Sequence, residues 1–108
     1  MIVAAAGGTG LGVLQTAADE GILSIGVDSN QNGVHPGKVL TSMLKRVDVA
    51  VEDVMTAGVD LETGVRGMTL AEEGVGVALD DNNADLVSAE MTAAVDKAKA
   101  QIIAGEIE

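Results

Sequence analysis

The chain has 108 residues, of which 17 are acidic and 6 basic, and its formal net charge at pH 7 is -11. This length fits one domain, and so acidic a surface repels phosphate backbones, which excludes nucleic acid as an expected partner. The absence of cysteine excludes disulfides and thiol chemistry, and no apolar run approaches the roughly 18 residues typical of a membrane-spanning helix.

The composition also lacks phenylalanine, tyrosine and tryptophan. Aromatic side chains normally dominate core energetics, so valine, leucine, isoleucine, alanine and methionine must form this core. A total absence favours an engineered sequence over an unusually biased natural source. Met1 leads directly into an apolar segment, and we therefore expect no signal peptide.

The first elements predict a β-α-β unit. Residues 2–6 (IVAAA) are continuously apolar, as expected of a strand buried on both faces. A helix is predicted over 9–20, ended by Gly21. Its apolar face comprises Leu11, Leu14 and Ala18. Residues 22–27 (ILSIGV) predict a second strand that ends at Asp28, so the two strands should run parallel.

The loop 28–37 (DSNQNGVHPG) is rich in turn-forming residues. The elements predicted after it are a strand over 39–44, a helix over 47–57, strands over 65–70 and 75–79, and a helix over 89–104. The two later strands, joined through AEEG, predict an antiparallel hairpin. Ser88 is the expected N-cap of the last helix. The fold class is therefore α/β, with a mostly parallel sheet and flanking helices.

Three strand ends carry the candidate binding residues. Strand one leads into Gly7 and Gly8, strand two ends at Asp28, and strand three leads into Lys45. Ligands of open parallel sheets bind beyond the carboxyl ends of the strands. If the three strands are parallel, backbone amides, a carboxylate and an ammonium group should line one edge.

Each of these features has a simpler interpretation. The stretch GGTGLG lacks both the dinucleotide fingerprint and the P-loop spacing, and it also fits a plain turn with close helix packing. Asp28 can accept two hydrogen bonds from a vicinal diol such as a ribose, or it can open an Asx turn. Lys45 can donate to the same hydroxyls, or it can simply be solvated.

No pattern in the chain indicates catalysis. His35 precedes Pro36 in a loop without a nucleophile or metal-type partner nearby. The remaining acidic pairs favour solvated loops, and they are Glu72, Glu73, Asp80 and Asp81. We therefore predict a non-enzyme without a cofactor or metal.

The segments "AAAGGTGLGVLQTAADEG", "SIGVDSNQ", "HPGKVLTSMLKRVDVAV" and "GVGVAL" closely resemble the basic membrane protein family, the nucleoside-binding lipoproteins of bacterial ABC uptake transporters. The resemblance covers residues 1–108 but only the C-terminal part of a family member. It implies a partial lobe of the type I periplasmic-binding-protein kind, which is flavodoxin-like or Rossmann-like, as a single α/β domain. It also implies a purine nucleoside as ligand. For the full-length family member from which such a lobe would come, the parent, it implies an ABC permease as partner and an exported, lipid-anchored location.

By the same resemblance, Asp28 holds the ribose hydroxyls, Lys45 assists it, and the turn formed by Gly7, Gly8 and Thr9 borders the cleft. The family clamps the purine between aromatic rings, whereas Val3, Leu14 and Glu52 stand where such rings are expected. We therefore expect millimolar binding or none. The alternative is an engineered, aromatic-free folding domain without ligand function. A lobe fragment leaves a sheet edge and an apolar face uncovered, so a homodimer is expected.

Overall fold

The structure is a computed structural model, and it describes all 108 residues. In chain order the elements are β1 Ile2–Val3, α1 Thr9–Asp19, β2 Ser24–Asp28, β3 Val39–Lys45, α2 Val47–Ala57, a 3-10 turn Gly58–Asp60, β4 Val75–Val77 and α3 Ala89–Ile103. The chain is therefore an α/β protein, as its sequence predicts.

A single four-stranded sheet, in the order β1-β2-β3-β4, organises the molecule. β1, β2 and β3 are parallel, whereas β4 runs antiparallel to β3 and places Val75 opposite Lys45. The prediction of a mostly parallel sheet is confirmed. The carboxyl ends of β1, β2 and β3 consequently meet at one edge of the sheet, which is also the edge where β4 begins.

The prediction of a first strand over 2–6, buried on both faces, was wrong. β1 contains only Ile2 and Val3, whose exposed fractions are 38% and 51%. It lies at the edge of the sheet and pairs only with β2. A continuous apolar run indicates burial only when other elements cover the strand, and here β1 remains exposed.

The predicted hairpin between 65–70 and 75–79 was also wrong. No strand forms over 65–70, and β4 bonds to β3 instead. Residues 65–70 instead contact α2, where Arg66 Nη2 lies 2.6 Å from Asp53 Oδ2. β3 has seven residues and therefore offers β4 a long free edge, a partner that lies far away in sequence.

The helices form where the sequence predicts them, but they pack unevenly. In α1, Leu14 and Ala17 are buried whereas Leu11 is exposed, so the packed face is rotated from the predicted one. Ser88 caps α3 as predicted, with the Met91 N–H donating to Ser88 Oγ at 3.2 Å. Neither α2 nor α3 buries any residue, and none of the helices combines the length and apolarity needed to cross a bilayer.

The core is small and half polar. Only 11 of the 108 residues are buried. The radius of gyration, 16.0 Å, exceeds the about 13 Å expected of a compact domain this long. The buried apolar side chains are Leu14, Ala17, Val39 and Ala78. The buried polar ones are Ser24, Asn32, Ser42 and Asn83, and no buried side-chain polar atom lacks a hydrogen-bond partner.

Candidate ligand-binding edge

Asp28 and Lys45 lie side by side at the carboxyl edge. We define this edge as the last residues of β2 and β3, the segments that follow β1, β2 and β3, and the turn before β4. Lys45 Nζ is 3.1 Å from Asp28 Oδ1. The Lys45 side chain is 63% exposed and the Asp28 side chain 54%, so the pair contributes little to the stability of the fold. Because both groups are accessible, the carboxylate retains free acceptor positions and the ammonium retains free donors.

The backbone of Asp28 is strained. Its φ is 73°, in the left-handed region that few residues other than glycine adopt. The Ser29 N–H donates to the Val27 carbonyl at 3.0 Å, so Asp28 is the centre of a γ-turn of the rare, strained type. Strained residues of this kind concentrate at ligand-binding and catalytic sites.

Gly7, Gly8 and Thr9 form the turn between β1 and α1. Gly7 has a φ of 53°, which a residue with a Cβ rarely adopts. The Thr9 and Gly10 amides donate to the carbonyls of Ala6 and Gly7 at 3.2 and 3.0 Å, so the turn is closed by its own hydrogen bonds. Thr9 begins α1 and its side chain is exposed.

A second charged pair extends this edge beyond Lys45. Arg46 Nη2 donates to Asp48 Oδ2 at 2.8 Å, and the side-chain hydrogen bond from Arg46 lowers the pKa of Asp48 to about 2. The Arg46 amide donates to the Gly74 carbonyl at 2.9 Å, which fixes the turn before β4 to the end of β3. In that turn Glu73 has a φ of 58°. Asp28 and Glu73, the two residues other than glycine with positive φ, thus both belong to this edge.

A polar network lies beneath the edge, and the sequence interpretation missed it. Gln31 Oε1 accepts from the Val27 N–H at 2.9 Å, and the Gln31 N–H donates to Ser42 Oγ at 3.0 Å. Ser42 in turn donates to Asn32 Oδ1 at 2.7 Å. The available signal was Gly26, since a glycine within a strand often marks a close approach of another segment.

The other polar candidates have structural partners or lie alone. Asp80 accepts from Asn30 Nδ2 at 2.8 Å and from the Asn82 amide at 2.9 Å, and the Asn30 bond is the main reason why the pKa of Asp80 is lowered. Glu72 accepts from Thr69 Oγ1 and from the Thr69 amide, and chiefly the hydroxyl lowers the pKa of Glu72. No group of three or more His, Cys, Asp or Glu side chains could hold a metal ion.

The surface contains two hollows, and neither includes Asp28 or Lys45. One of about 100 Å³ separates α3 from β3 and β4, and its lining includes Leu40, Val87 and Val95. A wider one of about 460 Å³ runs beside α1 and β1 and includes Ile2 and Thr16. Of the residues predicted to bind a ligand, Thr9 lines the wider hollow, whereas Gly7, Gly8, Asp28 and Lys45 line neither.

Residues 1–108 match the model of the family described as ABC transporter substrate-binding protein PnrA-like. The chain belongs to that family. Members of this PnrA-like family are substrate-binding proteins of ABC transporters and not enzymes, which supports the expectation of a non-enzyme at the level of the family. The resemblance predicted from the sequence motifs is thereby confirmed.

Comparison with two relatives shows how much of a longer protein this chain spans. The chain is 38% identical over 90 residues to Basic membrane protein D of Borreliella burgdorferi (strain JD1), an alignment that covers 76% of this chain and 26% of that protein. It also superposes, with a TM-score of 0.74 and 26% identity, on an ABC transporter solute-binding protein from Aeropyrum pernix K1, covering 98% of this chain and 39% of the other. The chain therefore spans between about a quarter and two fifths of these relatives.

Proposed function

We propose that the chain is part of the C-terminal lobe of a two-lobe substrate-binding protein, and that its carboxyl edge forms one side of a cleft for a purine nucleoside. In this proposal Asp28 accepts hydrogen bonds from the two ribose hydroxyls and Lys45 donates to one of them. Gly7, Gly8 and Thr9 border the ligand.

The juxtaposition of Asp28 and Lys45 carries this proposal. The two residues end adjacent parallel strands, their charged atoms lie 3.1 Å apart, and both remain accessible. A carboxylate has enough acceptor positions to hold a vicinal diol while it keeps its contact with the ammonium group. The carboxyl edge of a parallel sheet is also where ligands of such folds bind.

The proposed interaction should be weak in this chain. It contains no aromatic residue, and stacking of a base on an aromatic ring contributes about 1–3 kcal/mol in other systems. Half of a cleft also leaves one face of the ligand in water. We expect dissociation constants in the millimolar range.

Titration with adenosine, guanosine and inosine, followed by amide chemical shifts, tests the proposal. Saturable shifts should centre on Asp28 and Lys45, and they should be lost with 2′,3′-dideoxynucleosides and in Asp28→Asn. Asp53→Asn is the matched control, because Asp53 is also an exposed aspartate paired with a basic side chain, Arg66. Unsaturable shifts, or equal losses in both variants, would contradict the proposal and favour the alternative of a folding domain without ligand function.

The uncovered surface supports a second part of the proposal, that the chain associates with itself. α2 and α3 bury no residue, and they expose large apolar side chains that include Val51, Met55, Met91 and Val95. Sedimentation velocity at high micromolar concentration should detect a dimer, increasingly so as salt screens the charge of -11. A strict monomer at every salt concentration would refute this part.

The family suggests a transport role for the longer proteins. In that role the cleft delivers its nucleoside to an ABC permease, and the protein works outside the cytoplasm as an exported or lipid-anchored binding protein. Transport assays of the chain joined to a complementary lobe would test this extension separately from ligand binding.

A further inference from the structure

We infer that Gln31 is the positioning residue that holds Asp28 in its left-handed conformation and so aims the carboxylate at Lys45. This inference rests on the proposed function for its purpose, but its structural content can be tested without a ligand. The starting observation is the energetic cost of the Asp28 backbone conformation. A residue with a Cβ at φ 73° is strained, and such strain persists only where surrounding contacts fix it.

The Gln31 side chain bonds to the backbone of the residue directly before Asp28. β1 pairs with β2 only as far as Ile25, so no strand flanks the end of β2 on that side. The Val27 N–H, one residue before Asp28, donates to Gln31 Oε1 at 2.9 Å. The Val27 carbonyl accepts from Ser29 at 3.0 Å. Both polar groups of Val27 therefore have a fixed partner, and Asp28 is confined to the turn between them.

The backbone of Gln31 is anchored to a buried side chain. Its N–H donates to Ser42 Oγ, and Ser42 is fully buried and donates to the equally buried Asn32. Gly26 allows this arrangement, because a Cβ there would lie 2.8 Å from Gln31 Cβ and 2.6 Å from Ser42 Oγ. The loop after β2 therefore lies close against the strand, and the bond to the buried Ser42 holds the Gln31 backbone where its side chain reaches Val27.

A merely structural role would make a different prediction. If Gln31 only attached the loop to the sheet, its loss would destabilise the protein and leave the geometry of Asp28 in the folded state unchanged. If it positions Asp28, its loss should shift the Asp28 backbone toward ordinary φ values in a protein that is still folded. The readout must therefore report the conformation of Asp28 and not only stability.

The experiment uses the full chain and solution NMR. Gln31→Met removes the acceptor at nearly constant volume, whereas Gln31→Glu retains an oxygen at the same reach. In Gln31→Met the Asp28 Cα and Cβ shifts should move away from left-handed values and the Val27 amide should lose its protection from exchange. Gln31→Glu should restore both. Thr41→Val is the control, since it deletes another hydrogen bond of the sheet, from Thr41 Oγ1 to the Ala78 carbonyl at 2.7 Å.

Ligand titration then separates this inference from the proposed function. If nucleosides bind, Gln31→Met should weaken binding about fivefold, as expected when the competent conformer falls to about a fifth of the population, and Thr41→Val should not. Absence of binding in the unmodified chain would contradict the proposed function. The chemical shifts of Asp28 would still test whether Gln31 positions that residue. Unchanged Asp28 shifts in folded Gln31→Met would overturn the inference. If Gln31→Met does not fold, a rapidly exchanging Val27 amide in the unmodified chain would also overturn the inference.

Discussion

Replacing Gly26 by alanine should destabilise the protein, because the loop that carries Gln31 leaves no room for a methyl group. The added Cβ would stand 2.6 Å from Ser42 Oγ, 2.8 Å from Gln31 Cβ and 3.0 Å from Gln31 Oε1. Overpacking of this kind costs about 1–3 kcal/mol. The loss of backbone freedom in the unfolded chain returns about 0.5–1 kcal/mol. The net loss in the free energy of unfolding should be about 1–2 kcal/mol.

Gly76→Ala is the matched control. Gly76 also lies within a strand, but a Cβ there meets nothing within 4 Å, so only the entropic gain of about 0.5–1 kcal/mol applies. The two variants should therefore differ by about 2 kcal/mol, or by about 1–2 M in the urea midpoint at m-values near 1–2 kcal/mol/M. Far-UV circular dichroism is the appropriate probe, because the chain has no aromatic fluorophore. Equal midpoints for Gly26→Ala and Gly76→Ala would refute the close packing of this loop on β2.

Three further changes test other parts of the structure. Glu73→Gly should raise the free energy of unfolding by about 1 kcal/mol, because φ 58° is strained for glutamate; an unchanged urea midpoint would contradict this. Above its ordinary pKa of 3.8, Asp80 contributes stability that is lost as pH falls through its lowered pKa in the folded chain. Asn30→Ala should flatten that acid loss in a stability–pH series, and a parallel curve would count against it. Val87→Ile should add up to about 0.8 kcal/mol by filling the hollow under α3, whereas a lowered melting temperature would show that this space is not available.

The sequence determined the three helices, the strands β2 and β3, and the residues that could bind a ligand. The apolar spacing, the N-cap Ser88 and the terminating Gly21 set the helices, because these signals act over a single turn. The β-α-β pattern was enough to predict parallel strands, and parallel strands bring Asp28 and Lys45 to one edge whatever the details of packing. The family motifs could likewise be read directly from the chain.

Only the tertiary structure decided which segments are partners and which conformations are strained. β4 pairs with the free edge of β3 and not with residues 65–70 as predicted. Strand pairing depends on the edges that the whole sheet offers and not only on proximity in sequence. The left-handed turn at Asp28 and the contact from Gln31 to Val27 could not be predicted, since both arise where the loop after β2 folds back over Gly26. Burial, too, was decided by neighbours. The apolar faces of α2 and α3 have helical periodicity, but the rest of the chain packs against them too loosely to bury any of their residues.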